Sequence, residues 1–377
     1  MFYKNARIYA SDCKFHLGAF EVTDDGRFGQ VLPDRIPEDA YDLEGATVIP
    51  GLVEVHSHGN SGHDFSDGDY EGLKEMARYY LSCGVTSFAP ASMTLPYEVL
   101  EKAFAAARRL ADEAPAGCAR LRGIQMEGPY FSYKKRGAQN PDYLKEPDFD
   151  GFQKLYDACG GLIRIVDIAP ELPGAEEFIR KASKLCTVSV AHTDSDYDHA
   201  KAAFAAGASH LTHLYNAMPA ISHRNPGVIP AAAECPRVRA ELICDGLHVH
   251  PAAIRLAFSM FGGERMILVS DSGRCAGQPE GTEYDLGGQT AKVTGGVARL
   301  GDGTIACSAT NLWQCLVNAI SFGVAEEAVI RACTINPACA LGVQGEVGSI
   351  APGKQADFVV CSPDYAKKRV YLAGKLI

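Results

Sequence analysis

Two histidines separated by one serine, His56 and His58, close the apolar run of "IPGLVEVHSHGN". Residues i and i+2 of an extended chain point to one face, so the two imidazoles project side by side. Polar residues of the same kind close other apolar runs. Glu127 follows "GIQM", His192 follows "TVSVA", His213 follows "SHLT" and Asp271 follows "MILVS". His248 lies just beyond a further run, in "DGLHVHP". Imidazole nitrogen and carboxylate oxygen are donors for zinc, iron or manganese. A lone histidine at a strand end is ordinarily structural. Several together would each need a separate buried partner to be only structural. A set at matching strand ends therefore points to a metal centre.

Such a set needs elements that bring the strand ends to one rim. The apolar runs predict strands over Val48–His56, Thr86–Ala91, Arg122–Met126, Ile163–Ala169, Thr187–Ala191, Ser209–Leu214, Ala240–Cys244 and Met266–Ser270, with alanine-rich helical stretches between them. Eight strands alternating with helices predict an α/β chain folded as a (β/α)8 TIM-type barrel, with its chemistry at the strand C-termini. "YDLGGQTAKVTGGVARLGDGTIACSAT" reads as a glycine-rich β insertion after strand eight. Short extended segments with turn signals occupy both ends of the chain. The termini are expected to pair into a small β-sandwich domain, residues 1–50 plus 346–377, around a catalytic barrel of residues 51–345.

The chain has 377 residues, 47% of them hydrophobic and 22% charged, which suits a large globular core. The formal net charge of −10 argues against nucleic acid or an anionic membrane as partner. No long apolar run predicts a membrane span, and "MFYKNARIYASDCK" lacks a signal-peptide core. Thirteen scattered cysteines without a CxxC pair read as reduced and mostly buried, in a cytoplasmic protein.

The motifs "PGLVEVHSHG", "GIQMEGPY", "KKRGAQNP", "SVAHTDSD", "THLYNAMPA", "DGLHVHP" and "LVSDS" occur in the order typical of the amidohydrolase superfamily. More narrowly they resemble the N-acetylglucosamine-6-phosphate deacetylases, nearly from end to end. That resemblance implies hydrolysis of a sugar-phosphate acetamide to the amine and acetate. It implies that Glu127, His192 and His213 bind the deeper metal and that Glu127 bridges to a second. Members with Gln and Asn at the strand-one motif bind one metal. This chain has His56 and His58, which implies two divalent ions, zinc or iron, with Asp271 beside both. Asp271 would take the proton of the attacking water and pass it to the amine. The resemblance places Ala138, Gln139, Asn216, Ala217, Arg224 and His248 on the substrate, and Ile305, Ala306 and Cys307 near its acetyl side. It also implies a homodimer in which some contacts come from the neighbouring subunit.

Cys307 stands where relatives usually have glycine, which adds a side chain and restricts φ. Lys134, Lys135 and Arg136 read as a solvated loop or as steering charges for an anionic substrate. His16, His63, His199, His210, His223 and His250 receive no site role. The rival readings are a deacetylase of N-acetylgalactosamine 6-phosphate or another N-acyl amine, and a non-catalytic sugar-phosphate binder. Relatives that use a carboxylated lysine at strand four are disfavoured, because "IRIVDIAPE" has none.

Overall fold

The computed structural model describes residues 1–286 and 289–377. Gly287 and Gly288, within the predicted β insertion, lie outside the described residues. Eight parallel strands form the centre of a TIM-like α/β arrangement. Strand one is Leu52–Glu54 and strand two Val85–Phe88. Strand three is broken into Arg120–Leu121 and Ile124–Met126. Strands four to eight are Ile163–Ile168, Thr187–Val190, His210–Leu211, Arg239–Ile243 and Met266–Val269. These are short, β-branched runs buried on both faces, as a helix-covered parallel sheet requires.

The strands lie in two arcs. Strands one and two and the first piece of strand three make one arc. The second piece of strand three and strands four to eight make the other. An isolated bridge between Ala91 and Gln125 joins the arcs on one side. On the other, Asp271 N donates to His56 O (2.9 Å) and His58 N to Ser272 O (2.8 Å). The buried Glu54 carboxylate accepts from His56 N (3.1 Å) and Ser270 N (3.2 Å), tying strand one to strand eight.

The intervening helices follow their own local signals. Helix Tyr97–Glu113 buries Leu100, Ala103, Phe104, Ala107 and Leu110, a stripe at helical spacing. Helix Tyr70–Ser82 starts at Asp69, whose side chain accepts from Glu71 N and Gly72 N.

The predicted first strand, Val48–His56, is two strands. Thr47–Pro50 belongs to the terminal sheet, and only Leu52–Glu54 enters the central set. The two termini share one sheet of eight strands, in which Thr47–Pro50 pairs antiparallel with Phe358–Cys361. The hydrogen bonding joins the terminal strands into a single sheet, which curls on itself. Phe358–Cys361 and Phe28–Val31 stand four places apart in strand order, roughly 19 Å on a flat sheet. Yet the rings of Phe28 and Phe358 lie 5.9 Å apart, around a core that includes Tyr3, Phe20 and Tyr371.

The insertion after strand eight is a four-stranded antiparallel sheet, Glu283–Leu286, Gln289–Thr294, Val297–Leu300 and Ile305–Ser308. All thirteen cysteines are unpaired, and most are buried. Among the described residues, no helix is long and apolar enough to cross a membrane.

Candidate active site

Strand one delivers His56 and His58 to the C-terminal rim. His56 Nδ1 lies 2.8 Å from Glu241 Oε2. Burial opposes the charge on Glu241, but His56 and His210 outweigh it and hold its carboxyl below the usual range. An ionised carboxylate only accepts, so His56 carries its proton on Nδ1 and turns Nε2 inward. That Nε2 is fully buried and makes no hydrogen bond among the described residues. Backbone carbonyls play the same part for two more imidazoles. His58 Nδ1 donates to Ala91 O (3.2 Å) and His192 Nδ1 to Lys135 O (2.9 Å).

The Nε2 atoms converge on Glu127. Its Oε1 lies 3.2 Å from both His192 Nε2 and His213 Nε2, and 3.4 Å from His56 Nε2. Its Oε2 lies 3.3 Å from His58 Nε2. Asp271 Oδ1 stands 3.5 Å from His58 Nε2 and 3.7 Å from His56 Nε2. Two trios therefore gather their donor atoms within 4.8 Å of one another: His56, His58 and Asp271; and Glu127, His192 and His213.

This donor set fits divalent cations. Burial penalises the Asp271 and Glu127 charges, yet the surrounding histidines hold Asp271 at about 2 and Glu127 well below its ordinary value. Each trio offers two imidazole nitrogens and one carboxylate oxygen, a donor set suited to a divalent cation. His192 Nε2 and His213 Nε2 approach to 3.1 Å, which juxtaposes two lone pairs unless a proton or a cation lies between them. The backbone also points to function. His192, His213 and Asp271 have φ of 43°, 28° and 45°, a left-handed conformation that costs non-glycine residues about 1–3 kcal/mol each. Gly128, directly after Glu127, is required by contact: a Cβ there would stand 2.1 Å from Thr94 Oγ1.

Above the carboxylates lies a cavity of about 220 Å3. Of the residues expected on the substrate, Ala138, Gln139, Asn216, Ala217, His248, Ile305 and Ala306 line it, beside Met93 and Thr304. His248 Nδ1 bonds Asp245 Oδ2 at 2.6 Å; burial disfavours the imidazolium, but this bond prevails and raises the pKa. Two expected residues are elsewhere. Arg224 is exposed and off the lining. The Cys307 side chain turns away into a cluster with Met93, Ala138, Cys275 and Val293. A β-bulge at Ala306 presents Ile305 and Ala306 together to the cavity, and leaves Cys307 paired with Ala298 on the far side. Cys307 Sγ fills the space beside Gly273, where a Cβ would stand 2.2 Å away.

Lys134 pairs with Asp194 at 3.0 Å on the surface, and His63 abuts the start of helix Tyr70–Ser82 rather than the cavity. Glu241, Asp167 and Gln125 were not anticipated. Each is buried mid-strand, and Gln125 Nε2 donates to Asp167 Oδ2 at 3.1 Å. Their signal was a polar residue inside an apolar run, such as the Glu of "RAELI". Because Glu241 also receives His210 Nε2 at 2.9 Å, Glu241→Gln would turn an N–H toward one imidazole. The expected result is a loss of cation affinity of roughly 10–100-fold, measured by chelator competition.

The amidohydrolase family model matches residues 47–377. The chain belongs to the amidohydrolase family. Among curated relatives it is 37% identical to the N-acetylglucosamine-6-phosphate deacetylase of Bacillus subtilis, over 90% of this chain and 88% of that one. It is 32% identical to the N-acetylgalactosamine-6-phosphate deacetylase of Escherichia coli O157:H7, over 93% of each. Among solved structures, a mutant of the Mycobacterium smegmatis N-acetyl-D-glucosamine-6-phosphate deacetylase, in complex with N-acetyl-D-glucosamine-6-phosphate, superposes with a TM-score of 0.93. That match has 32% identity and covers 100% of this chain and 98% of the other. The resemblance carried by the motifs is thus borne out at the level of the family, and divalent-metal use follows from it.

Proposed function

We propose that the protein hydrolyses the acetamide of N-acetylglucosamine 6-phosphate, yielding glucosamine 6-phosphate and acetate. The observation that carries this reading is the convergence of four imidazole Nε2 atoms on two ionised carboxylates at the floor of a cavity sized for a small molecule. Glu127, His192 and His213 would hold one cation, and His56, His58 and Asp271 a second, each zinc or iron. Bound divalent cations supply Lewis acidity and acidify water near neutral pH. Asp271 accepts the proton of the attacking water and returns it to the departing amine, serving first as base and then as acid. His248 and Asn216, with the Ala217 N–H, hold the sugar phosphate, while Ala138, Ile305 and Ala306 confine the acetyl end.

Arg224, exposed and off the lining of its own chain's cavity, suits phosphate oxygens of a substrate bound in a second copy, so the working unit is a homodimer. The two strand arcs act as one (β/α)8 barrel of residues 51–345, braced by the terminal domain of residues 1–50 and 346–377. The protein works in the cytoplasm. The 4-epimer is the second reading, favoured by the galactosamine-type relative. Acetate release should be measured with the metal-loaded enzyme on N-acetylglucosamine 6-phosphate, N-acetylgalactosamine 6-phosphate and unphosphorylated N-acetylglucosamine. The first is expected to turn over fastest. Release from neither phosphate ester sinks the deacetylase reading.

A further inference from the structure

We infer that Gln139 is a positioning residue that holds Glu127 in its bridging orientation and so sets cation affinity at His56, His58 and Asp271. This inference rests on the two-cation reading of the site. Gln139 is buried, and its amide is oriented by its neighbours. Thr94 N–H donates to Oε1 at 2.8 Å, so the NH2 end must face Glu127, whose Oε2 it meets at 2.7 Å. The segment that carries the amide is itself pinned, because Gln289 Nε2 donates to Ala138 O at 2.7 Å.

The terminal torsion of a glutamate is broad and nearly two-fold, so an unrestrained carboxylate swings easily. Swung freely, Glu127 could turn both oxygens to the His192 and His213 side. The Gln139 N–H engages Oε2 and opposes that rotation. It keeps Oε1 beside His192 and His213 while Oε2 faces His58. The N–H uses one lone pair of Oε2 and leaves the other for a cation beside His58. Gln139 acts on that cation through Glu127, as outer partners of metal ligands commonly do.

The test is competitive titration of zinc against a chromophoric chelator, using the full chain and two variants. Gln139→Leu keeps the bulk and removes the donor; Gln139→His restores a ring N–H. In Gln139→Leu the tighter ion is expected to remain, which also reports a folded site, while the weaker one loses roughly 10–100-fold in affinity. kcat should fall with KM nearly unchanged, and Gln139→His should recover part of both losses. Two ions bound by Gln139→Leu with wild-type affinity overturn the inference alone. A raised KM with unaltered zinc titration likewise overturns it, and makes Gln139 a substrate contact. A wild-type chain that takes up a single ion overturns the two-cation reading, and this inference falls with it.

Discussion

Asp271→Asn is expected to lower turnover by roughly 10²–10⁴-fold while the chain still folds and still binds a cation at Glu127, His192 and His213. Asn matches the shape of Asp but cannot take a proton, and it contributes no charge. The backbone anchors of the residue are independent of its side chain: Asp271 N donates to His56 O (2.9 Å), and Ser308 N donates to Asp271 O (2.8 Å). Its φ of 45° is a conformation that Asn tolerates well, so the substitution adds no backbone strain. The lost rate corresponds to about 3–5 kcal/mol of transition-state stabilisation, far beyond what a small shift of the turn would cause. Acetate release, metal content and thermal unfolding should be read together on the same preparation. Activity within tenfold of wild type, with metal retained, would refute the acid–base role.

How much of this centre was legible beforehand depended on where each residue sits in its strand. His56, His58, Glu127, His192, His213 and Asp271 stand where an apolar run stops, so the change of residue type marks them in one dimension. Glu241 and Asp167 sit inside apolar runs, where period-two reading offers no reason for a charge. Only the folded arrangement brings Glu241 within 2.8 Å of His56 and 2.9 Å of His210, residues far apart in the chain. The Cys307 side chain packs behind the cavity for a local reason, since a bulge at Ala306 changes which side chains face it. The terminal strands were legible from alternation and turns. Their curl into one sheet rests on pairings such as Thr47 with Cys361, which no local pattern announces.

Replacing both His56 and His58 by Asn is expected to lower metal content from two ions per chain toward one. Asn is the informative choice because its amide nitrogen lies near the place of the imidazole Nδ1. It can still donate to Glu241 from position 56 and to Ala91 O from position 58, the contacts now made at 2.8 and 3.2 Å. What disappears is Nε2 on each side chain, the atom that faces Glu127 and Asp271. A buried charge left unpaired is strongly destabilising, so retention of these outer bonds keeps the effect at the cation rather than in the fold. The trio of Glu127, His192 and His213 keeps its own donor atoms and should hold its ion. Metal analysis after exhaustive dialysis, beside a wild-type control, reads the result directly. Two ions retained by the double variant would remove His56 and His58 from the metal centre. Loss of both would mean instead that Glu127 needs a cation on each oxygen to hold either one.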